Sequence, residues 1–175
     1  MESGAHLSLR ADGDLAVSWE AEAHPVASLG SRLVFIRTGI VLEKDGGALA
    51  EMQRPFKFFA GGPIASGRQY LSWIHRDDWI AMVVWALEAP SVSGVFNATA
   101  PEPVTNAVFS KALGRALHRP SWIPAPAFAL RVMFGKEFAD IALINGQRVV
   151  PAHAQSLGFS FKHPTIESAL AAIYK

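Results

Sequence analysis

The sequence predicts an α/β fold with a parallel sheet, and three observations carry that prediction. Two short runs, Ser31–Arg37 and Gly94–Thr99, are rich in β-branched and aromatic residues without alternation, the pattern of strands buried on both faces. Each precedes a stretch whose apolar residues have helical spacing, so strand and helix alternate along the chain. Half of the 175 residues are apolar and only 18% are charged, which suits a globular core. Two strands make a poor independent sheet. The chain is therefore expected to be a piece of a larger unit.

Met1–Gly13 is polar and aperiodic, and Asp14 is placed to cap a helix with Leu15, Trp19 and Ala23 on one face. The first strand runs into Arg37-Thr38-Gly39-Ile40-Val41-Leu42. Ligands of open α/β sheets lie beyond the carboxyl ends of strands. This turn is thus a candidate cofactor contact in which Gly39 permits a close approach, the alternative being a plain strand-to-loop turn. After Gly46-Gly47, a helix is expected from Leu49, Met52 and Phe56, limited by Pro55. Phe56, Phe58 and Phe59 are expected to pack together in the core. Gly61-Gly62-Pro63 and Gly67 form a loop that admits a ligand to the backbone, but no helix follows directly as in a phosphate-binding loop.

Gly67–Asp78 joins a glycine approach, a short aromatic strand and an acidic pair. Asp77 or Asp78 is expected to start a helix, where carboxylates accept from free N–H groups, with Ile80, Val83, Val84 and Leu87 inward. Pro90 ends this helix, and Pro101 and Pro103 stop the second strand. Thr105 caps an amphipathic helix that buries Phe109, Ala112, Leu113, Ala116 and Leu117 and closes at His118-Arg119-Pro120. Ser121–Pro126 is extended, with Trp122 and Ile123 as its anchors. A further helix is expected from about Ala127 to Ile144, stopped by Asn145-Gly146. A segment ended by Pro151, a turn at Gly158 and a last helix from Thr165 to Tyr174 complete the chain.

The charge balance, 16 basic against 15 acidic residues for a net +1, gives no reason to expect nucleic acid or anionic lipid as a partner. The absence of cysteine excludes a disulfide framework, a thiolate zinc site and a cysteine nucleophile. No apolar run approaches the roughly 20 residues that span a bilayer. Met1–Asp14 also lacks the pattern of a secretory signal, so a cytoplasmic location is the default expectation.

Motifs that announce chemistry are missing. The sequence has no Gly-x-Gly-x-x-Gly fingerprint, no Walker-type Gly-Lys-Ser/Thr and no Gly-x-Ser-x-Gly elbow. Tyr70 has Ile74, not lysine, four residues on, and Tyr174 has nothing, so the tyrosine–lysine acid–base pair of short-chain dehydrogenases is absent. The six histidines show no metal-site spacing, and no metal is expected. His75, between a strand end and a helix start, is either structural or ligand-facing. Asp78 is a helix cap or a catalytic carboxylate, and Trp73 is core or pocket wall.

A set of motifs then stands in order: Arg37–Leu42, Gly61-Gly62-Pro63-Ile64, Gly67-Arg68-Gln69, Ser72–Asp78, Asn97–Pro101, Asn145–Pro151, Leu157-Gly158-Phe159 and Ala169-Leu170. From about Trp19-Glu20 to the C-terminus, the chain resembles an NAD(P)-dependent epimerase family. That family is a branch of the extended short-chain dehydrogenase/reductases with a C-terminal domain of uncharacterised function. The resemblance implies the C-terminal part of a Rossmann fold, contributing its last parallel strands (Leu33–Arg37 and Val95–Thr99), plus a small α/β substrate domain. Residues 1–120 would be the partial NAD(P)-binding region and 121–175 the substrate-side domain, while an N-terminal half would hold the glycine-rich loop. It implies NADP as cofactor, with Arg37, Gly39 and Val41 near the nicotinamide. Arg68, Trp73 and His75 are the substrate-cleft candidates, and a small-molecule substrate and a homodimeric assembly are the expected partners.

Two departures qualify the resemblance. Where related sugar-nucleotide epimerases place an arginine for the nucleotide diphosphate, this chain has Leu71. The missing tyrosine–lysine pair leaves the catalytic acid unassigned. Some relatives carry cell-division labels, so a non-enzymatic binding module on a dehydrogenase fold is the alternative to an epimerase or oxidoreductase half.

Overall fold

The computed structural model describes residues 15–175, so the polar opening and the Asp14 cap lie outside the described residues. Helical turns α1 (15–23) and α2 (Pro25–Ser28) lead into β1 (Val34–Thr38) and β2 (Ile40–Leu42). Leu15 and Trp19 of α1 are 49% and 69% exposed, so among the described residues the apolar face expected there is buried only in part, at Ala23. Next come α3 (Gly47–Met52), α4 (Arg54–Lys57), β3 (Tyr70–Leu71), β4 (Trp73–His75), α5 (Arg76–Glu88) and β5 (Gly94–Ala98). The chain continues with β6 (Val104–Thr105), α6 (Asn106–Leu117), α7 (Ala127–Phe134), α8 (Lys136–Phe138), α9 (Ala152–Ser156) and α10 (Ile166–Ile173).

β1 and β5 pair in parallel, with Ile36 opposite Phe96, as the two buried-strand runs predict. Ladder β2–β4 is also parallel, whereas β3–β6 is antiparallel. Among the described residues, β1 has one strand neighbour, and its second edge is unpaired. Arg32 fastens this sheet to the end of α5, donating to the carbonyls of Ala86, Leu87 and Val92. It supplies the cation and donors that the last turn of a helix lacks.

Two cores result. Leu42, Leu49, Leu71, Trp73, Phe109, Leu113, Ile166 and Leu170 form the first, joining residues on both sides of position 120. Ile74, Met82, Phe96, Ala98 and Ala154 form the second, between the β1–β5 ladder and α5. Thr105 caps α6 by accepting from Val108 N–H. Thr165 and Ser168 form a capping box on α10.

Five expectations need correction. First, α5 is capped not by an aspartate but by His75, whose side chain accepts from Asp77 N–H. Second, its inward face is Asp78, Met82 and Ala86, while Ile80, Val84 and Leu87 are exposed. The helix is apolar nearly all round, so periodicity alone did not fix its face; the buried Asp78 carboxylate did, by accepting from Lys162 and His163 N–H.

Third, only Phe56 of the phenylalanine cluster is buried, while Phe58 and Phe59 are 81% and 57% exposed. α4 ends at Lys57, and Phe59 adopts a left-handed φ of 59°, turning both rings outward. The Arg119 guanidinium lies 4.7 Å from the Phe59 ring centroid. Fourth, the long helix expected over Ala127–Ile144 breaks at Gly135, whose φ of 83° is left-handed, and its last part, Ala139–Ile144, is a π-helix. Fifth, Trp122, expected to anchor the extended segment, is 75% exposed. Main-chain bonds hold that segment instead, from Ile123 N–H to Gly61 O and from Ala125 N–H to Pro63 O.

Candidate functional site

At the carboxyl end of β1 the chain changes partners within one residue. Gly39 N–H donates to Ala98 O beside the β1–β5 ladder, and the next N–H, of Ile40, donates to Ser72 O beside β4. The handover brings backbones so close that a Cβ on Gly39 would lie 2.6 Å from Ser72 O and 2.9 Å from Thr99 Cγ2. Glycine is required there by contact with the protein itself.

This step floors a cleft of about 320 Å³. Thr38, Gly39 and Ile40 form its base, Gln69–Ser72 one wall, and Leu143 with Asn145–Gln147 the other. Side chains from the sheet lay the second wall in place. Ser72 Oγ donates to Gln147 O at 2.7 Å and accepts from Val149 N–H at 3.0 Å. Asn97 Nδ2 donates to Val150 O at 3.2 Å, and Gln69 Nε2 donates to Ile64 O and Leu143 O at 3.1 and 3.0 Å. With both Gln69 amide protons so used, its orientation is fixed, and its Oε1 is buried without a partner. Gly146 approaches Tyr70 so closely that any Cβ would collide with the Tyr70 carbonyl oxygen. Among the described residues the lining contains no lysine, arginine, histidine or carboxylate.

The residues singled out from sequence do not all meet here. Gly39 forms the floor. Arg37 lies on β1 in an exposed two-bond pair with Glu20, both bonds 2.7 Å. The hydrogen-bonded guanidinium holds the Glu20 carboxyl below its ordinary value, and the carboxylate raises Arg37. Val41 packs on the second core, while its neighbours Ile40 and Leu42 face the first. Arg68 is exposed. Trp73 is fully buried in the first core, where Nε1 donates to Glu102 O, so it does not line the cleft.

His75 lines a second cleft, of about 460 Å³, with His163 and Asp77. Burial, and next the neighbouring His163, push the His75 pKa down, opposed by Asp77 and Asp78. Each of His75, Asp77 and His163 offers one potential metal-ligand atom within 4.8 Å of the others, a convergence that sequence spacing did not reveal. The α5 cap argues against metal binding there. His75 Nδ1 accepts from Asp77 N–H, so the ring proton sits on Nε2, the nitrogen a metal would need bare. Sequence reasoning also missed Gln69, Ser72 and Asn106 as builders of the first cleft. Their signal was present but indirect: two stood inside motifs whose meaning only the fold supplies.

A parallel sheet end that opens into a cleft walled by residues 143–147 is an α/β arrangement of the Rossmann-fold epimerase and dehydrogenase type. The comparisons give the family. Residues 125–173 match a domain of unknown function, DUF1731. The chain is 48% identical over 155 residues to the chloroplastic homolog of epimerase family protein SDR39U1 from Arabidopsis thaliana, covering 89% of this chain and 44% of that protein. The crystal structure of human epimerase family protein SDR39U1 (isoform 2) with NADPH superposes with a TM-score of 0.78 at 40% identity, over 82% of this chain and 48% of that one. A nucleoside-diphosphate sugar epimerase from Corynebacterium glutamicum gives a TM-score of 0.68 at 30% identity, over 89% of this chain and 29% of that one. The chain belongs to the epimerase family of extended short-chain dehydrogenase/reductases and matches their C-terminal portion. It spans about half the length of the curated relatives it matches.

Proposed function

We propose that this chain is the substrate-side part of an NADP-dependent epimerase or oxidoreductase that acts together with an N-terminal cofactor-binding half. The cleft at the β1 end carries the reading: it joins the last sheet strands to the DUF1731 segment across a floor of Thr38, Gly39 and Ile40. That floor is uncharged and carries no side chain at Gly39, which suits the flat carboxamide end of a nicotinamide. The lining has no cation for phosphate, so cofactor phosphates would be held by residues other than these. The human relative solved with NADPH supports the choice of cofactor. When bound, the cofactor would supply hydride chemistry, while this chain would position a small-molecule substrate between Gln69–Ser72 and Asn145–Gln147.

A second reading, a binding module on a dehydrogenase fold, is favoured by one observation. Among the described residues, Tyr70 is the single titratable side chain lining the cleft, and no lysine accompanies it. An assay of NADPH binding by a polypeptide carrying both halves, followed by turnover on a panel of carbonyl compounds, separates the two. Cofactor-dependent turnover supports the enzyme; cofactor binding without turnover on any carbonyl favours the module. We place the protein in the cytoplasm as a homodimer. No helix among the described residues is long and apolar enough to cross a membrane, and the Arabidopsis relative is described as chloroplastic.

A further inference from the structure

Away from the substrate cleft, α5 starts where three parts of the chain meet: the end of β4, the turn after β2 and the 162–163 segment that leads into α10. His75 Nδ1 accepts from Asp77 N–H at 3.0 Å and so closes the first turn of α5. Asp78, only 2% exposed, holds the incoming segment, its two oxygens accepting from Lys162 N–H at 2.7 Å and His163 N–H at 2.9 Å. The His75 and His163 rings lie with centroids 4.1 Å apart. His163 is 8% exposed, and its Nε2 has no hydrogen-bond partner among the described residues.

The contacts of the His75 ring carry one condition. His75 accepts at Nδ1 only while neutral. A proton there converts the acceptor into a donor facing the Asp77 N–H, and it sets a cation against an enclosed ring. We propose that His75 and His163 form an acid-sensitive latch holding the 162–163 segment, and with it α10, onto the start of α5, and that protonation of His75 opens it. The second cleft reaches the pair and gives solvent protons a route to it.

Charges around the latch come from every neighbouring element. α5 presents Arg76, Asp77 and Asp78; the 162–163 segment presents Lys162 and His163 itself. The turn after β2 adds Glu43, Lys44 and Asp45, and Lys175 stands at the rim. Several cancel, since Arg76 pairs with Glu43 at 2.8 Å and Lys162 lies 3.6 Å from Asp77. The Asp78 oxygens are already committed to backbone donors. Burial and His163 therefore outweigh the two aspartates, and the neutral, latched form is favoured. The folded pKa lies below the unfolded one, so the latch's contribution is fully present above about pH 6.5 and is lost as pH falls through the folded value.

Hydrogen exchange on the full 175-residue chain tests this. Between about pH 7.5 and about pH 5.5, protection of the Lys162 and His163 amides, corrected for intrinsic exchange, should fall about tenfold, while Phe96 and Leu113 amides hold theirs. His75→Asn keeps a capping acceptor that does not titrate and should flatten the response. Unchanged Lys162 and His163 protection, an equal fall at Phe96 and Leu113, or an undiminished response in His75→Asn would overturn the latch. If that variant does not fold, the imidazole resonances of the unmodified chain decide. A His75 midpoint coincident with the loss of protection supports the latch, and a separate midpoint refutes it.

Discussion

At the scale of single residues, Gly39 and Tyr174 make opposite points about what a side chain is for. Gly39→Ala would press a methyl group against Ser72 O and Thr99 Cγ2. We expect a loss of about 1–3 kcal/mol in denaturant unfolding, typical of overpacking; a neutral result would show that the strand handover is softer than its geometry. Tyr174 donates to Gln53 Oε1 at 3.1 Å, and burial, with Asp45 adding, pushes its phenol up to about 12. The folded value lies above that of a free tyrosine, so this contribution is intact below about pH 10 and drains as pH rises towards about 12. Tyr174→Phe should remove that alkaline decline and cost about 1 kcal/mol at neutral pH by leaving Gln53 Oε1 unpaired. Identical alkaline melts for both proteins would contradict the assignment. Gly39 was legible in the sequence because glycine constrains its surroundings. Gln69 and Ser72 were not, because each binds a cleft-wall carbonyl more than 70 residues away.

Elements are held together here by a few buried polar groups. Asp78 fastens α5 to the segment before α10 with two charge-assisted bonds. Asp78→Ala would strand two N–H groups and is expected to cost about 3 kcal/mol, most visibly as early fraying of α10 in residue-resolved melting. Cooperative melting with α10 no less stable than α6 would show that the core contacts of Ile166 and Leu170 suffice alone. α6 was readable from its Thr105 cap and clean apolar stripe. α5 was readable as a helix but its inward face was not, because its exposed face is as apolar as its buried one, and the residue that settles the matter is an aspartate. The break at Gly135 escaped for a related reason: a lone glycine inside a helical pattern is compatible with either outcome.

For the molecule as a whole, the parallel pairing of β1 with β5 and its α/β class were visible in two apolar runs, while the division of labour between two cores was not. Among the described residues the second edge of β1 is unpaired, and Leu15, Val17 and Trp19 of α1 are exposed. Such an edge is an invitation to pair. Since the lining of the cleft supplies no cation for phosphate, this chain alone should bind NADPH more weakly than about 1 mM, a binding free energy of less than about 4 kcal/mol. Calorimetry measures this directly. Submillimolar affinity would mean that the cofactor is gripped mainly by the residues described here.

The strand handover at Gly39 also decides where this fold is free to diversify. Gly39, at the centre of the floor, cannot take a larger side chain without pressing on Ser72 and Thr99. New ligand preferences must therefore arise on the rim, at Tyr70, Asn145 and Gln147, whose side chains can change while the ladders below stay intact. A library confined to those three positions should yield stable proteins with altered ligand choice, whereas one directed at residues 38–40 should yield mostly unfolded ones.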